Sequence, residues 1–249
     1  MHIVNAPVET HGRWILAIDT SSEQIGIALS DGTATAELTW PAGRQQTTVL
    51  LDAIDDLLRR MSIGLTDLAG IAVAVGPGTF NGLRAGLGTA KGLALGSGIP
   101  LIGVGTLDAT VIPVLVPGRL TVAVVAAGRN RVVSAVFRAP ENDSSVGIGQ
   151  PVMVQEPHNG SMEDLGRRLA GLSGPVTLIG EMTDTQIAEI SPILETTDLW
   201  VPPGSARSRR PGGVAALGRA RWLAGELDDP ESLDATYLHS APRSVPGSF

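Results

Sequence analysis

The stretch Trp14-Ile15-Leu16-Ala17-Ile18-Asp19-Thr20-Ser21 opens the patterned part of the chain and points to its fold. Five apolar residues in a row predict a buried strand that ends at the carboxylate of Asp19. The alternating run 25–29 predicts a second strand, and the dipeptide Asp31-Gly32 favours a hairpin turn into a third strand over residues 33–40. The chain therefore begins as three consecutive strands with an acidic residue at the end of the first.

Beyond these strands, helices and strands alternate. The helical spacing of Leu50 and Ile54 with later apolar residues predicts a helix over residues 47–61. The other predicted elements are a strand over 71–75, a helix over 80–95, a strand over 101–104, a short helix capped by the Thr106 hydroxyl, strands over 120–125, 132–137 and 176–179, and helices over 162–172, 183–190 and 214–227. This order predicts an α/β protein with two related lobes, although no sequence repeat proves the relation.

Changes of composition divide the chain into four segments. Residues 1–12 are polar and unpatterned, and we expect them to be a disordered extension. Residues 13–116 form the first lobe, and residues 117–205 form a second, smaller lobe. Residues 206–249 hold a linker rich in Pro, Gly and Arg, a helix that returns to the first lobe, and a tail.

Composition and charge limit the kinds of partner. Of the 249 residues 43% are hydrophobic and 17% are charged, which is enough apolar mass for a sizeable core. The formal net charge of −7 argues against a protein that grips nucleic acid by itself, although a partner could supply the positive charge. A small basic cluster of Arg207, Arg209 and Arg210 is predicted to be a solvated loop.

Reactive side chains are scarce. The sequence has no Cys, which excludes disulfides, thiolate metal sites and cysteine nucleophiles, and no two of its four His lie three or four residues apart. A nucleophile elbow of the G-x-S-x-G type is also missing. No basic region followed by an apolar run opens the chain, and Asp108 and Pro113 interrupt its most apolar stretch. We therefore expect a cytoplasmic protein without a metal site and without a membrane segment.

The turn Asp19-Thr20-Ser21 is the first candidate site. A carboxylate at the end of a strand, beside hydroxyls and free backbone N–H groups, is what a phosphate–Mg²⁺ site needs, because the carboxylate orients the water shell of the metal. The alternative is a turn in which Asp19 caps its own backbone.

The second candidate is the loop Gly76-Pro77-Gly78-Thr79, which lies between a predicted strand and a predicted helix. Glycines allow a sharp turn and a close approach of a ligand, and the start of the following helix could hold an anion. The loop lacks the Gly-Lys-Ser/Thr ending of a Walker motif. A tight strand-to-helix turn without a ligand is the alternative.

The helix that follows this loop is interrupted by five glycines, which are Gly82, Gly86, Gly88, Gly92 and Gly96. At 100° per residue we expect them to spread over one broad side, where the missing side chains let another backbone approach closely. That backbone belongs either to the same lobe or to a partner protein. The candidate partner-interface residues are Phe80, Gly82, Arg84, Gly86 and Gly92 of this helix, with Leu50 and Ile54 of the preceding one.

Taken together, these motifs resemble the TsaB (YeaZ) family of bacterial tRNA-modification proteins. The resemblance rests on residues 15–21, on Gly76 to Gly86, and on the segments 91–94 and 99–107. It is strong from residue 14 to about residue 108 and weak from 119 to 205. It implies a fold of two actin-like lobes, of the type found in Hsp70 and sugar kinases.

Three positions depart from the family pattern. The family commonly has a His near the start of the first long helix, where this chain has Gln46. A family Asp-Ala-Arg motif appears here as Ala127-Gly128-Arg129, and a closing Tyr-Leu-Arg ends here in His239. These departures affect any catalytic role of those positions more than a scaffolding role.

The resemblance also implies a function. The chain would be a non-catalytic partner of TsaD, a metal-dependent transferase. With TsaE, the complex would move threonylcarbamoyl from threonylcarbamoyl-AMP onto the adenosine beside the anticodon of ANN-decoding tRNAs. This chain would touch tRNA only through the complex, would have no cofactor of its own, and would bind ATP–Mg²⁺ weakly. A homodimer is left open.

Two other functions compete with this one. An actin-fold small-molecule kinase would need an acidic base at the cleft and an adenosine-binding Gly motif in the second lobe, and the sequence offers a clear candidate for neither. A divergent paralogue without TsaD binding is the other reading, because of the departures at Gln46, Ala127 and His239.

Overall fold

The computed structural model describes residues 14–41, 46–128, 131–141, 149–194 and 198–237. The predicted extension over residues 1–12 lies outside these ranges. The strands are β1 Trp14–Asp19, β2 Gln24–Ser30, β3 Thr35–Pro41, β4 Leu68–Gly76, β5 Leu101–Gly105, β6 Leu120–Ala126, β7 Arg131–Arg138, β8 Val152–Ser161, β9 Val176–Gly180 and β10 Leu199–Trp200. The helices are α1 Gln46–Met61, α2 Phe80–Ser97, α3 Thr106–Val111, α4 Met162–Ala170, α5 Asp184–Ile190, α6 Gly204–Arg207 and α7 Pro211–Leu223.

The first lobe is built around β1. The sheet order is β3-β2-β1-β4-β5, with β1, β2 and β3 antiparallel and with β4 and β5 parallel to β1. Leu16 and Ile18 pack against α1 and α2 on one face, whereas Ile15 and Ala17 pack against α7 on the other. Both faces of β1 are therefore buried, which explains why its sequence is a continuous apolar run rather than an alternating one.

The second lobe repeats the topology of the first. Its central strand β6 is followed by β7 and β8, which are antiparallel neighbours on one side, while β9 and β10 lie parallel on the other side. Helices α4 and α5 cover one face of this sheet. Counted from the central strand of each lobe, the strand order is the same in both sheets, which confirms the predicted two related α/β lobes.

Helix α3 joins the two lobes. Its Leu107 and Val111 pack on the second sheet, whereas Ala109 packs on the first sheet and against α7. The predicted cap of this helix is wrong, because Gly105 is the N-cap and the buried hydroxyl of Thr106 has no hydrogen-bond partner. Among the described helices, none has the length and apolar character to cross a bilayer.

Strand β8 is the main element that the sequence pattern does not predict. Within the described residues it is an edge strand paired with β7, and its register shifts by one residue between Ser134 and Val136 and by one more between Val136 and Phe137. Pro157 lies in this shifted segment, where its missing N–H costs no ladder hydrogen bond. The proline and the following Asn159-Gly160 are typical of a turn, and that signal hides the strand.

The glycines of α2 lie on two different sides of the helix, contrary to the expectation of one broad side. A Cβ at Gly82 would lie 2.0 Å from the Thr20 carbonyl oxygen, and a Cβ at Gly86 would lie 2.2 Å from the Thr20 hydroxyl. Gly88, Gly92 and Gly96 are exposed and have no neighbour within 4 Å of such a Cβ. Only the inward pair permits a close approach within the lobe.

A Gly→Ala substitution is expected to change the free energy of unfolding in opposite directions on the two sides of α2. Gly82→Ala forces a backbone carbonyl away and should lower the free energy of unfolding by about 1–3 kcal/mol. Gly88→Ala adds a methyl group in open space and should raise it by about 0.5–1 kcal/mol, because alanine loses less backbone entropy in a helix. Denaturant titration of both variants measures the two effects, and equal effects in the two would contradict this packing.

Candidate functional site

The carboxyl ends of the central strands face a cleft between the lobes. Asp19 ends β1 on the first lobe, and Ala126 and Gly180 end β6 and β9 on the second. The Asp19 side chain is buried, and its Oδ1 accepts hydrogen bonds from the Ser21 backbone N–H at 3.0 Å and the Ser21 hydroxyl at 2.5 Å. Asp19 thus shapes its own turn, as the plainer sequence interpretation expects.

The Gly76–Thr79 loop packs against this turn. The Thr79 N–H donates to the Ser21 carbonyl at 2.7 Å, and a Cβ at Gly78 would lie 2.3 Å from that same oxygen. The Thr20 hydroxyl donates to the Gly82 carbonyl at 2.7 Å. The two predicted motifs, Asp19-Thr20-Ser21 and the glycine loop with the start of α2, therefore form one continuous structure.

The guanidinium of Arg209 fills the space beside Asp19. Its Nε donates to Asp19 Oδ2 at 3.0 Å, and its Nη2 donates to Asp19 Oδ1 at 3.1 Å and to the Ser22 hydroxyl at 3.1 Å. The side chains of Arg209 and Asp19 are each only 5% exposed. A paired fork of this kind is the strongest geometry for an arginine–carboxylate contact.

The third partner of Arg209 comes from the other lobe. Its Nη1 donates to Glu181 Oε1 at 2.7 Å, and Glu181 Oε2 accepts from the Ala126 N–H at 3.2 Å. Burial by itself lowers the pKa of Arg209, but the charges of Asp19 and Glu181 and the hydrogen bonds to Asp19 raise it above its ordinary value. Arg209 is therefore a fully charged group held between two carboxylates.

The predicted solvated arginine loop is wrong for two of its three members. Arg207 and Arg209 are both buried, and Arg207 Nη2 donates to Asp184 Oδ1 at 2.5 Å. Only Arg210 has an exposed side chain, and its Nε donates to Glu37 at 2.6 Å. Neither buried arginine is available for an RNA contact.

The residues at the cleft do not fit a metal–nucleotide group. Both oxygens of Asp19 accept from Arg209, so the carboxylate cannot orient the water shell of a cation. The hydroxyls of Thr20 and Ser21 are also used within the chain. Within the described ranges, no three His, Cys, Asp or Glu side chains group as a metal site would require.

A cavity of about 410 Å³ lies between the glycine loop and the end of β6. Pro77, Thr79 and Phe80 line it from the first lobe, Ala127 lines it from the second, and Tyr237 closes it. The carboxylate that the family has at the position of Ala127 would therefore project toward this cavity. Gln46 is the first residue of α1, and His239 lies outside the described residues.

A second concavity, of about 680 Å³, runs between α1 and α2 on the outer surface of the first lobe. We call it the α1–α2 groove; it is lined by Leu51, Asn81, Arg84, Ala85, Gly88, Thr89, Gly92 and Leu93. Leu51 is 48% exposed and the nearby Phe80 is 52% exposed. The Arg84 guanidinium lies 4.2 Å from the centre of the Phe80 ring, a cation–π contact that holds both side chains at the end of the groove.

The predicted interface residues divide between this groove and the core. Phe80, Arg84 and Gly92 are exposed and lie in or beside the groove. Leu50 and Ile54 lie on the buried side of α1, and Gly82 and Gly86 are buried against Thr20, so these four residues are corrected from surface positions to core positions. Leu51, one position along α1, carries the exposed apolar contact that Leu50 was expected to supply.

The two sheets have the same strand order, and a cleft lies at the carboxyl ends of their strands. These features define a two-lobed α/β protein of the actin-like class. Within this class, the chain is similar to proteins of the TsaB (YeaZ) family.

Relatives from several bacteria show this similarity. The chain is 45% identical over 94 residues to the Escherichia coli protein called tRNA threonylcarbamoyladenosine biosynthesis protein TsaB, which is 37% of this chain and 40% of that protein. It is 28% identical to the Bacillus subtilis TsaB over 233 residues, which is 91% of this chain and 94% of that protein. The chain thus spans about two fifths of the length of the Escherichia coli relative and nearly all of the length of the less similar Bacillus subtilis relative.

Two further comparisons agree. Residues 41–152 match the family model described as TsaD, tRNA N6-adenosine threonylcarbamoyltransferase. The solved structure of YeaZ from Pseudomonas aeruginosa has a TM-score of 0.71 at 18% identity, covering 91% of this chain and 100% of that chain, which is a likeness of fold.

Removing one member of the buried ion pair should destabilise the protein strongly. Asp19→Asn removes the bidentate carboxylate partner of Arg209, leaves Glu181 as its remaining carboxylate partner, and should lower the free energy of unfolding by about 3 kcal/mol. Arg210→Ala removes an exposed ion pair and should cost less than about 1 kcal/mol. Thermal and denaturant unfolding of the two variants provide the measurement, and an Asp19→Asn variant as stable as Arg210→Ala would show that the buried pair does not form.

Nucleotide binding to the isolated chain should be weak, because Arg209 occupies both oxygens of Asp19. Calorimetric titration with ATP–Mg²⁺ should give a dissociation constant well above about 1 μM, the value that corresponds to about −8 kcal/mol. Binding at or below that constant would contradict the cleft geometry described above.

Proposed function

We propose that this chain is a non-catalytic partner of a TsaD-like transferase. In this proposal the complex, with a TsaE-like protein, transfers threonylcarbamoyl from threonylcarbamoyl-AMP to the adenosine beside the anticodon of ANN-decoding tRNAs. The chain itself contacts tRNA only through the complex and works in the cytoplasm. The similarity to TsaB proteins and the names of the relatives support the pathway.

The α1–α2 groove is the observation that carries the scaffolding role. It places apolar side chains, an exposed aromatic ring and a row of exposed glycines on one surface of the first lobe. Exposed glycines let a partner helix approach the backbone closely, and paired helices from two proteins would form a four-helix contact. A homodimer through the same groove would compete with the partner for it.

The cleft favours this role over that of a small-molecule kinase. A kinase of this fold needs a free carboxylate at the cleft, whereas Asp19 and Glu181 both bind Arg209. These two acidic side chains are thus committed to contacts that hold the fold together. This supports a protein whose function lies on its surface.

Co-purification with the TsaD-like protein of the same host tests the partnership. The decisive assay then combines that protein, its TsaE-like partner, threonylcarbamoyl-AMP and an ANN-decoding tRNA, with and without this chain. Nucleoside analysis should find the modified adenosine only when the chain is present. Modification at the same rate without the chain, or no stable complex, would favour the divergent paralogue.

Substitution within the groove should separate binding from stability. Gly92→Leu fills an exposed position that contacts nothing in the lobe, so it should leave the melting temperature unchanged. It should weaken partner binding by roughly 5- to 150-fold, the equivalent of about 1–3 kcal/mol of overpacking.

Two control variants make the test specific. Ala188→Leu introduces the same side chain on an exposed position of α5 in the second lobe and should leave the affinity unchanged. Gly86→Leu should instead lower the melting temperature, because it strikes Thr20 inside the first lobe. Unchanged affinity of Gly92→Leu would remove the groove from the interface.

A further inference from the structure

The segment between α6 and α7 crosses from one lobe to the other. Arg207, at the end of α6, is bound to Asp184 at the start of α5 in the second lobe. Pro211, at the start of α7, packs against Gly26 of β2 in the first lobe. We call residues 208–210, which link these two helices, the strap.

Arg209 is the central residue of this strap, and its partners lie on both lobes. Asp19 and Ser22 belong to the turn after β1, whereas Glu181 follows β9. Glu181 is itself fixed to its sheet, because its N–H donates to the Val124 carbonyl at 2.9 Å and its carboxylate accepts from Ala126. The guanidinium is therefore a rigid connection between the turn after β1 and the residue after β9.

The neighbouring Arg210 differs from Arg209 in the position of its ion-pair partner. Arg210 carries the same charge one residue further along the strap, but its ion pair is with Glu37 of β3, within the first lobe, and its side chain is 64% exposed. Its loss removes no bond between the lobes. Arg210 is therefore a matched control for Arg209.

We propose that Arg209 is a latch that locks the two lobes at a fixed angle and closes the cleft beside the Asp19 turn. A folded chain then has one lobe arrangement, set by an internal cation rather than by a ligand. This inference concerns the isolated chain and does not depend on its partner.

Breaking the latch should let the lobes move. Arg209→Met alone leaves the buried Asp19 and the partly buried Glu181 without their cation, which destabilises the fold as well. The triple variant Asp19→Asn, Glu181→Gln, Arg209→Met removes all three charges together, so no unpaired buried charge remains. Arg209→Lys keeps the charge but loses the planar fork that reaches both carboxylates.

The absence of Cys from the chain makes the movement measurable. Leu95→Cys on α2 and Ala188→Cys on α5 place one spin label on an exposed position of each lobe. Double electron–electron resonance should then give one narrow distance distribution for the otherwise unchanged protein and for Arg210→Gln. The triple variant and Arg209→Lys should give a broader distribution that extends to longer distances.

A narrow, unshifted distribution in the folded triple variant would overturn the latch. If that variant does not fold, Arg209→Lys decides by the same measurement, because it retains the balance of charge. Broadening in Arg210→Gln to the same extent as in Arg209→Lys would also overturn the proposal, since it would assign the effect to the strap in general and not to the bridging guanidinium.

Discussion

The bidentate contact between Arg209 and Asp19 is the interaction on which the arrangement of the molecule depends. A buried guanidinium is tolerated only where its charge and its donors are matched, and here two carboxylates and a hydroxyl provide that match. The match requires the end of β1, the residue after β9 and the strap before α7 to meet at one point. Both lobes and the path of the chain between them are therefore fixed by the same contact.

The sequence predicts the elements of the fold better than it predicts this contact. The apolar runs that become β1, β4 and β6 have both faces buried and leave a clear signal. The edge strand β8 leaves no such signal, because its bulge interrupts the pattern of a regular strand and its Pro157 is typical of a turn. Arg209 lies 190 residues from Asp19, and in a Pro-, Gly- and Arg-rich segment nothing local distinguishes it from the exposed Arg210. Only the three-dimensional structure separates them.

The same limit applies to the glycines of α2. Their spacing indicates which positions of the helix lack a side chain, but not which neighbour lies against each of those positions. Gly82 and Gly86 are required by the Thr20 turn, and through that turn α2 is held close to the Asp19–Arg209 pair. No neighbour lies within 4 Å of a Cβ at Gly92, so packing within the lobe does not require a glycine there. The proposed partner surface therefore includes Gly92 and the apolar side chains beside it. One side of α2 thus packs against the Thr20 turn beside the cleft, and its other side lines the α1–α2 groove.

In this architecture an internal cation, the Arg209 guanidinium, occupies the space beside the carboxylate at the end of β1. The direct test is the solvent exchange of the Arg209 Nε–H, observed by NMR on protein labelled with ¹⁵N-arginine and assigned by its disappearance in Arg209→Lys. The account predicts a protected signal that exchanges far more slowly than that of Arg210. Equal, rapid exchange of the two signals would show that Arg209 is solvated and that the cleft is open.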